Sequence, residues 1–193
     1  MLNKIDIDKL NLDKEFFSRC ETFISLLQKW GKVHNLTGKL TQIDIEENII
    51  DSITPLEFIN EYNSFADIGT GAGYPGLILA MARADKKAYL IEPRQKRVAF
   101  LNFVKNTLAL NNIEIISKRV EEVSNIKVDL ITSRAVTNTK LLLDLTTNIS
   151  KENTSFLFYK GSLLETEVED AKLEDCIIKK RKDRNYLYLK GNL

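Results

Sequence analysis

At 193 residues the chain is long enough for one full-sized domain with its own core plus a small appendage. Its composition, 44% apolar and 28% charged, excludes a disordered, fibrous or disulfide-scaffold protein. A net charge of +1 excludes a strong whole-molecule field, so any attraction for phosphates has to come from local clusters. Cys20 and Cys176 match neither a metal-ligand nor a C-x-x-C spacing, so no metal site is expected and a reducing cytosol is the simpler setting. The opening MLNKIDIDKLNLDKE has no apolar core of a secretory signal, and no apolar run approaches membrane-spanning length. A cytoplasmic location with no membrane partner is the expectation.

In chain order, residues 14–30 read as a helix, because Phe16, Phe17, Cys20, Phe23, Ile24, Leu27 and Trp30 recur at spacings of three and four. Asp13 is the expected cap and Gly31 the expected stop. A second helix is expected from Asp44, with Glu47 completing a capping-box-like pair and Ile45, Ile49, Ile50 and Ile53 on its apolar edge. Thr54-Pro55 restarts a short helix. Residues 1–62 thus form a helical N-terminal extension. From residue 63 the pattern changes to strands at 65–68, 87–91, 113–117, 128–132 and 155–160, with helices at 75–84, 93–110 and 138–149 between them. This rhythm predicts a parallel sheet covered on both faces. CIIKKRKD and NYLYLKG lack a crossover between them and predict an antiparallel pair turning near Asp183-Arg184. Residues 63–193 are therefore read as one α/β domain.

The stretch ADIGTGAGYPG at 66–76 carries half of the chain's eight glycines. It follows the first strand of the sheet, where open α/β folds bind ligands. Gly71-x-Gly73-x-x-Gly76 matches a dinucleotide fingerprint, with Glu92 at the distance of a ribose-binding acid. Two residues argue against a pyrophosphate. Pro75 brings no N–H to the helix start. Asp67, at the strand end, is expected to repel an anion and to attract a cation by on the order of 4 kcal/mol at moderate effective dielectric. S-adenosylmethionine, with a sulfonium and an ammonium, suits the parse Asp67-x-Gly69-x-Gly71-x-Gly73 better. Glu92 then accepts from two ribose hydroxyls, and Pro93 fixes where the next helix begins. No Gly-Lys-Ser/Thr follows, so a P-loop is excluded.

Basic residues cluster in two places. Lys179 to Arg184 is a dense run broken only by Asp183, and Arg94, Lys96, Arg97 and Arg119 fall close to the glycine loop or after it. Runs of this kind are more often solvated faces than nucleic-acid sites.

The motifs ADIGTGAGYPG, IEPRQKRVAFLNFV, SKRVEEV, ITSRAV, FYKG and RNYLYLK, with QKWGKVHNLTG and IIDSI before them, resemble the bacterial glucose-inhibited division protein B family. The resemblance covers residues 20–190. It implies a Rossmann-like class I methyltransferase fold, a mostly parallel sheet with an antiparallel C-terminal edge and a helical N-terminal extension. It also implies methyl transfer from S-adenosylmethionine to N7 of a guanine in 16S rRNA, with the small ribosomal subunit as partner. Position by position, Gly69 and Tyr74 line the cofactor pocket, shaped by Asp67, Gly71 and Gly73. Glu92 holds the ribose, and Val120 and Glu121 flank the adenine. Arg134, the catalytic candidate, stands at the pocket mouth near the methyl donor and the incoming RNA. Arg119, Lys160 and Arg184 are the RNA contacts. The family's His-x-x-Asp-Ser pattern is broken here by Asn48, so no general base carries over to that position. His34, the only histidine, is read as a packing residue.

Guanine N7 carries a lone pair and no proton, so its methylation asks for alignment rather than a base, and alignment supplies roughly 7–11 kcal/mol in favourable cases. Tyr74, Tyr159 and Tyr186 are possible stacking platforms, although the latter two fit packing beside the sheet better. Arg134 could alternatively pair with Glu121 or Glu122. Three other functions stay open: a methyltransferase for another substrate, a non-catalytic RNA-binding or assembly factor on the same fold, and, more distantly, an NAD-dependent dehydrogenase. A monomer is expected.

Overall fold

The computed structural model describes Leu2, residues 7–34, Leu36, Gly38 and residues 40–191. The expectation for His34 falls on a side chain outside the described residues. After a single turn at Ile7–Leu10 (α1), the long helix α2 runs from Phe16 to His34. Asp13 primes its start: its carboxylate accepts from the Glu15 N–H at 2.9 Å and from the Arg19 guanidinium at 3.2 Å. Gly31 does not end this helix. A Cβ at Gly31 would lie 2.5 Å from Leu40 Cδ2, so the glycine serves the close return of the chain across the helix.

Helix α3 spans Gln42–Ile53 and begins two residues before the expected Asp44. Its cap is Thr41, whose Oγ1 accepts from the Asp44 N–H and donates to the Asp44 carboxylate at 2.7 Å. Glu47 is instead committed to ion pairs with Arg181 and Lys182. A 3-10 turn over Thr54–Glu57, opened by Pro55, leads into the sheet.

The strands are β1 (Ser64–Ile68), β2 (Lys87–Ile91), β3 (Ile113–Ile116), β4 (Val128–Arg134), β5 (Ser150–Lys160), β6 (Ile177–Arg181) and β7 (Arg184–Leu189). They form one sheet in the order β3-β2-β1-β4-β5-β7-β6. The first five are parallel, and β7 runs antiparallel to both β5 and β6. Helices α4 (Gly76–Ala82), α5 (Gln95–Thr107), α6 (Thr139–Leu145) and α7 (Leu164–Asp170) complete the α/β alternation. This is the Rossmann-like, mostly parallel architecture with an antiparallel C-terminal edge. Helix α7 was not expected from the sequence.

Side chains alternate across the sheet with period two, as a twice-covered sheet requires. Phe65, Leu90, Leu130, Leu157, Tyr159 and Tyr186 join the core under α2 to α5. Ala66, Ile68, Ile91, Ile131, Phe158 and Leu187 join the core under α6 and α7. The N-terminal helices belong to the first of these layers. Phe23 meets Tyr74 edge-on at 5.7 Å, and Trp30 lies 5.8 Å from Phe100 and 5.1 Å from Phe103. Tyr159 and Tyr186 are wholly buried and pack edge-on at 5.4 Å. Their hydroxyls donate to the Ser52 carbonyl and the Asp51 carboxylate, which removes both as stacking platforms for a base.

Candidate cofactor pocket and its mouth

The strand order reverses between β1 and β4, and the loops leaving the carboxyl ends of β1 to β4 enclose a cavity of about 510 Å³ there. Such a volume falls in the range of small-molecule sites, roughly 300–1,000 Å³. The glycine loop forms its floor. Gly69, Gly71 and Gly73 hold φ of +66°, +61° and +105°, a left-handed geometry that lets the backbone fold back between β1 and α4. At Gly69 the space is also taken, since a Cβ would lie 2.6 Å from Val136 Cγ2.

Glu92 stands at the end of β2, 1% exposed, and lines the cavity. Its Oε2 accepts from the Gly71 N–H at 3.0 Å and its Oε1 from the Arg94 N–H at 3.0 Å. The carboxylate is thereby fixed to the glycine loop on one side and to the turn before α5 on the other. Val120 and Glu121, in a 3-10 turn after β3, close the cavity on that side. Gly69, Gly71, Tyr74 and Arg134 also line it, so these expected site residues converge. Gly73 does not face the cavity; a Cβ there would lie 2.9 Å from Leu77, within the loop itself.

Asp67 departs from its expected role. It is fully buried behind the loop, with Oδ2 accepting from the Gly76 N–H at 2.8 Å and Oδ1 from the Thr132 hydroxyl at 2.8 Å. Burial raises its carboxyl to about 6, opposed by those donors. It therefore shapes the loop from behind and does not line the cavity. The wall is cationic on balance: Arg94, Arg97, Lys118, Arg119 and Arg134 against Glu92 and Glu121. Attraction of a cation by a rim of acids is not what selects the ligand. Donor geometry is. The first N–H of α4 is already consumed by the Asp67 carboxylate, and Pro75 before it has none. No cradle for a pyrophosphate remains at that helix.

Arg134 ends β4 with its side chain 16% exposed. Its guanidinium lies 4.8 Å from the Tyr74 ring centre and donates to the Asn48 amide oxygen at 2.7 Å and the Asp51 carboxylate at 3.5 Å. The partners weighed for it in the sequence, Glu121 and Glu122, are not the ones it has. Beyond this ridge a second cavity, about 250 Å³, opens between α3 and the β6–β7 turn, lined by Asn48, Asp51, Glu47, Arg181 and Arg184 among others.

The three expected RNA contacts separate. Arg119 is exposed at the rim of the larger cavity. Arg184 is partly buried, its Nε donating to Asp51 at 3.2 and 3.3 Å. Lys160 is 6% exposed, and its ammonium is spent on Glu167 at 2.7 Å and the Thr137 carbonyl at 2.9 Å. It is an internal tie between β5 and α7, and its burial removes it as an RNA contact. Leu36, Lys118 and Val136 also line the larger cavity without having been anticipated. For Leu36 the HNLTG segment around it was the only sequence signal.

Comparison with known proteins agrees with this geometry. A family model described as GidB, rRNA small subunit methyltransferase G, matches residues 17–192. Ribosomal RNA small subunit methyltransferase G of Aliarcobacter butzleri is 62% identical over 99% of both chains. The protein of the same name from Wolinella succinogenes is 45% identical over 93% of this chain and 92% of its own. Among solved structures, a methyltransferase from Geobacter sulfurreducens superposes with a TM-score of 0.65 at 11% identity over 89% of each chain. M. jannaschii TYW2 in complex with AdoMet gives 0.54 at 22% identity, over 77% of this chain and 74% of its own. At such identities the structures speak for the fold, while the sequence matches span the whole described site. The chain belongs to the rRNA small subunit methyltransferase G (GidB) family.

Proposed function

We propose that this chain is a cytoplasmic methyltransferase that uses S-adenosylmethionine to methylate N7 of a guanine in the 16S rRNA of the small ribosomal subunit. Family membership supports the reaction class. The observation that carries the cofactor is the pairing of a buried, loop-anchored Glu92 with a helix start whose N–H is already occupied by Asp67. That arrangement fits a ribose and refuses a diphosphate. Among the described residues no helix is long and apolar enough to cross a membrane.

When bound, the cofactor supplies an electrophilic methyl on its sulfonium. The chain's own residues orient and enclose. Glu92 accepts from ribose hydroxyls while staying bonded to Gly71 and Arg94, so cofactor binding and loop shape are linked. Val120 and Glu121 bracket the adenine, and Tyr74 forms the wall beneath Arg134. Arg134 stands over the Tyr74 ring at the mouth, where the acceptor nucleotide enters with N7 facing the pocket. No side chain need take a proton, because N7 has none. In this reading the cationic rim of Arg94, Lys118 and Arg119 meets the RNA backbone.

The test is transfer of labelled methyl to isolated rRNA and to small subunits, with mapping of the modified base. Glu92→Ala should weaken cofactor binding by about 10–100-fold, the equivalent of one or two charge-assisted hydrogen bonds. Label at a base other than guanine, or at a guanine atom other than N7, overturns the specificity. No transfer by a chain that binds the cofactor and the subunit favours a non-catalytic factor.

A further inference from the structure

We infer that Asp51 is a positioning residue that holds Arg134 and Arg184 side by side as a clamp for one phosphodiester of the acceptor RNA, next to the guanine to be methylated. The inference rests on the rRNA reading above and adds a binding site to it. Two guanidiniums on different strands, β4 and β7, converge on one carboxylate of α3. Arg134 Nη1 lies 3.5 Å from Asp51 Oδ2, and Arg184 Nε lies 3.2 Å from the same oxygen. Asp51 is itself held. Its side chain is 8% exposed, and the buried Tyr186 hydroxyl donates to its Oδ1 at 2.8 Å. Asn48, one helical turn earlier, takes the closer bond to Arg134 at 2.7 Å.

The carboxylate holds the two like charges together, and two guanidiniums against one carboxylate leave the cluster a net charge of +1. That is the complement of a single phosphodiester. Donors remain for it: among the described residues, Arg134 Nε and Nη2 and Arg184 Nη2 donate to nothing. Planar guanidiniums pair with phosphate oxygens in two parallel bonds, which fixes orientation as well as affinity. Position favours the same ligand. Arg134 lines the larger cavity and Arg184 the smaller, so the pair straddles the ridge between them. A nucleotide gripped there by its phosphate has its base within reach of the pocket mouth.

The experiment compares wild type, Asp51→Asn, Arg184→Ala and the double variant for binding of small subunits and for methyl transfer, each with cofactor affinity measured in parallel. Asp51→Asn should raise KM for subunits about tenfold while changing cofactor affinity by less than about threefold. The double variant should lose less than the product of the two single losses, because part of Asp51's effect passes through the arginine that is missing. A purely structural role would instead lower the active fraction, and hence kcat, with KM unchanged. An unchanged KM, or losses that multiply in the double variant, overturns the clamp. Should Asp51→Asn not fold, Asn48→Ala, which removes Arg134's closer bond and leaves Asp51 and Arg184 in place, carries the test: a severalfold rise in KM supports the clamp and none overturns it. If wild type binds subunits without methylating them, the proposed activity fails, and the clamp is still decided by the binding arm.

Discussion

Asp67 and Glu92 are both carboxylates at strand ends beside the glycine loop, and burial assigns them different work. Glu92 lines the cavity, held by Gly71, Arg94 and, at 3.4 Å, Arg97, whereas Asp67 turns inward to hold the start of α4. Asp67 is pushed up from 3.8 to about 6 by burial, so the folded chain binds its proton more tightly than the unfolded chain does. The sign follows: this contribution to stability is present below about pH 4 and is lost as pH rises through about 6. Asp67→Asn removes it. In denaturant titrations, the stability of wild type relative to Asp67→Asn should fall by roughly 2 kcal/mol between about pH 4 and pH 7. At Asn48, an amide stands where the family pattern has a histidine, and its oxygen holds Arg134 without titrating near neutral pH.

At the scale of elements, α4 is seated by Gly76. A Cβ there would lie 2.5 Å from Asp67 Cβ and 2.6 Å from Leu90 Cδ2, so the helix approaches β1 and β2 more closely than alanine permits. Gly76→Ala should lower stability by about 1–3 kcal/mol in thermal or denaturant melts, the usual cost of overpacking. Most of the element order could be read from the sequence, because the strands are short apolar runs and α2 carries a full apolar stripe. What escaped has physical causes. Helix α7, LETEVED, buries only Leu164, so no periodic apolar signal announced it. Missing α7 also concealed Glu167, the partner of Lys160, and made a buried ion pair look like a free cation. Gly31 misled because close approach within a helix and helix termination select the same residue. That Gly69, Gly71 and Glu92 line the cavity was legible because backbone geometry demanded glycine and the end of β2 fixed the acid, whereas nothing local told that Asp67 turns inward. The Asp51 cluster was not legible, since its members come from α3, β4 and β7 and no local pattern joins them.

For the whole molecule, the near-zero net charge conceals an uneven surface. At the cavity rim, Arg94, Lys118 and Arg119 are exposed and take part in no ion pair among the described residues. On the C-terminal hairpin, Arg181 and Lys182 share Glu47, and Arg184 is held by Asp51. Affinity for rRNA should therefore depend on salt mainly through the three rim cations, with the Arg134–Arg184 pair adding about one phosphate contact. Arg119→Ala should reduce the slope of log affinity against log salt by about 0.7–0.9. Lys160→Ala should leave that slope unchanged and lower stability by about 1–3 kcal/mol, because it strands Glu167 without its partner. The hairpin also closes the sheet with β6, which pairs with β7 alone and leaves Ile177 and Ile178 40% and 44% exposed. An open, greasy margin of this kind invites a strand from another copy and, eventually, aggregation. Lys179 and Lys180, exposed and in no ion pair among the described residues, follow those isoleucines directly and act as gatekeepers by their charge, so part of the chain's basic run is accounted for by solubility.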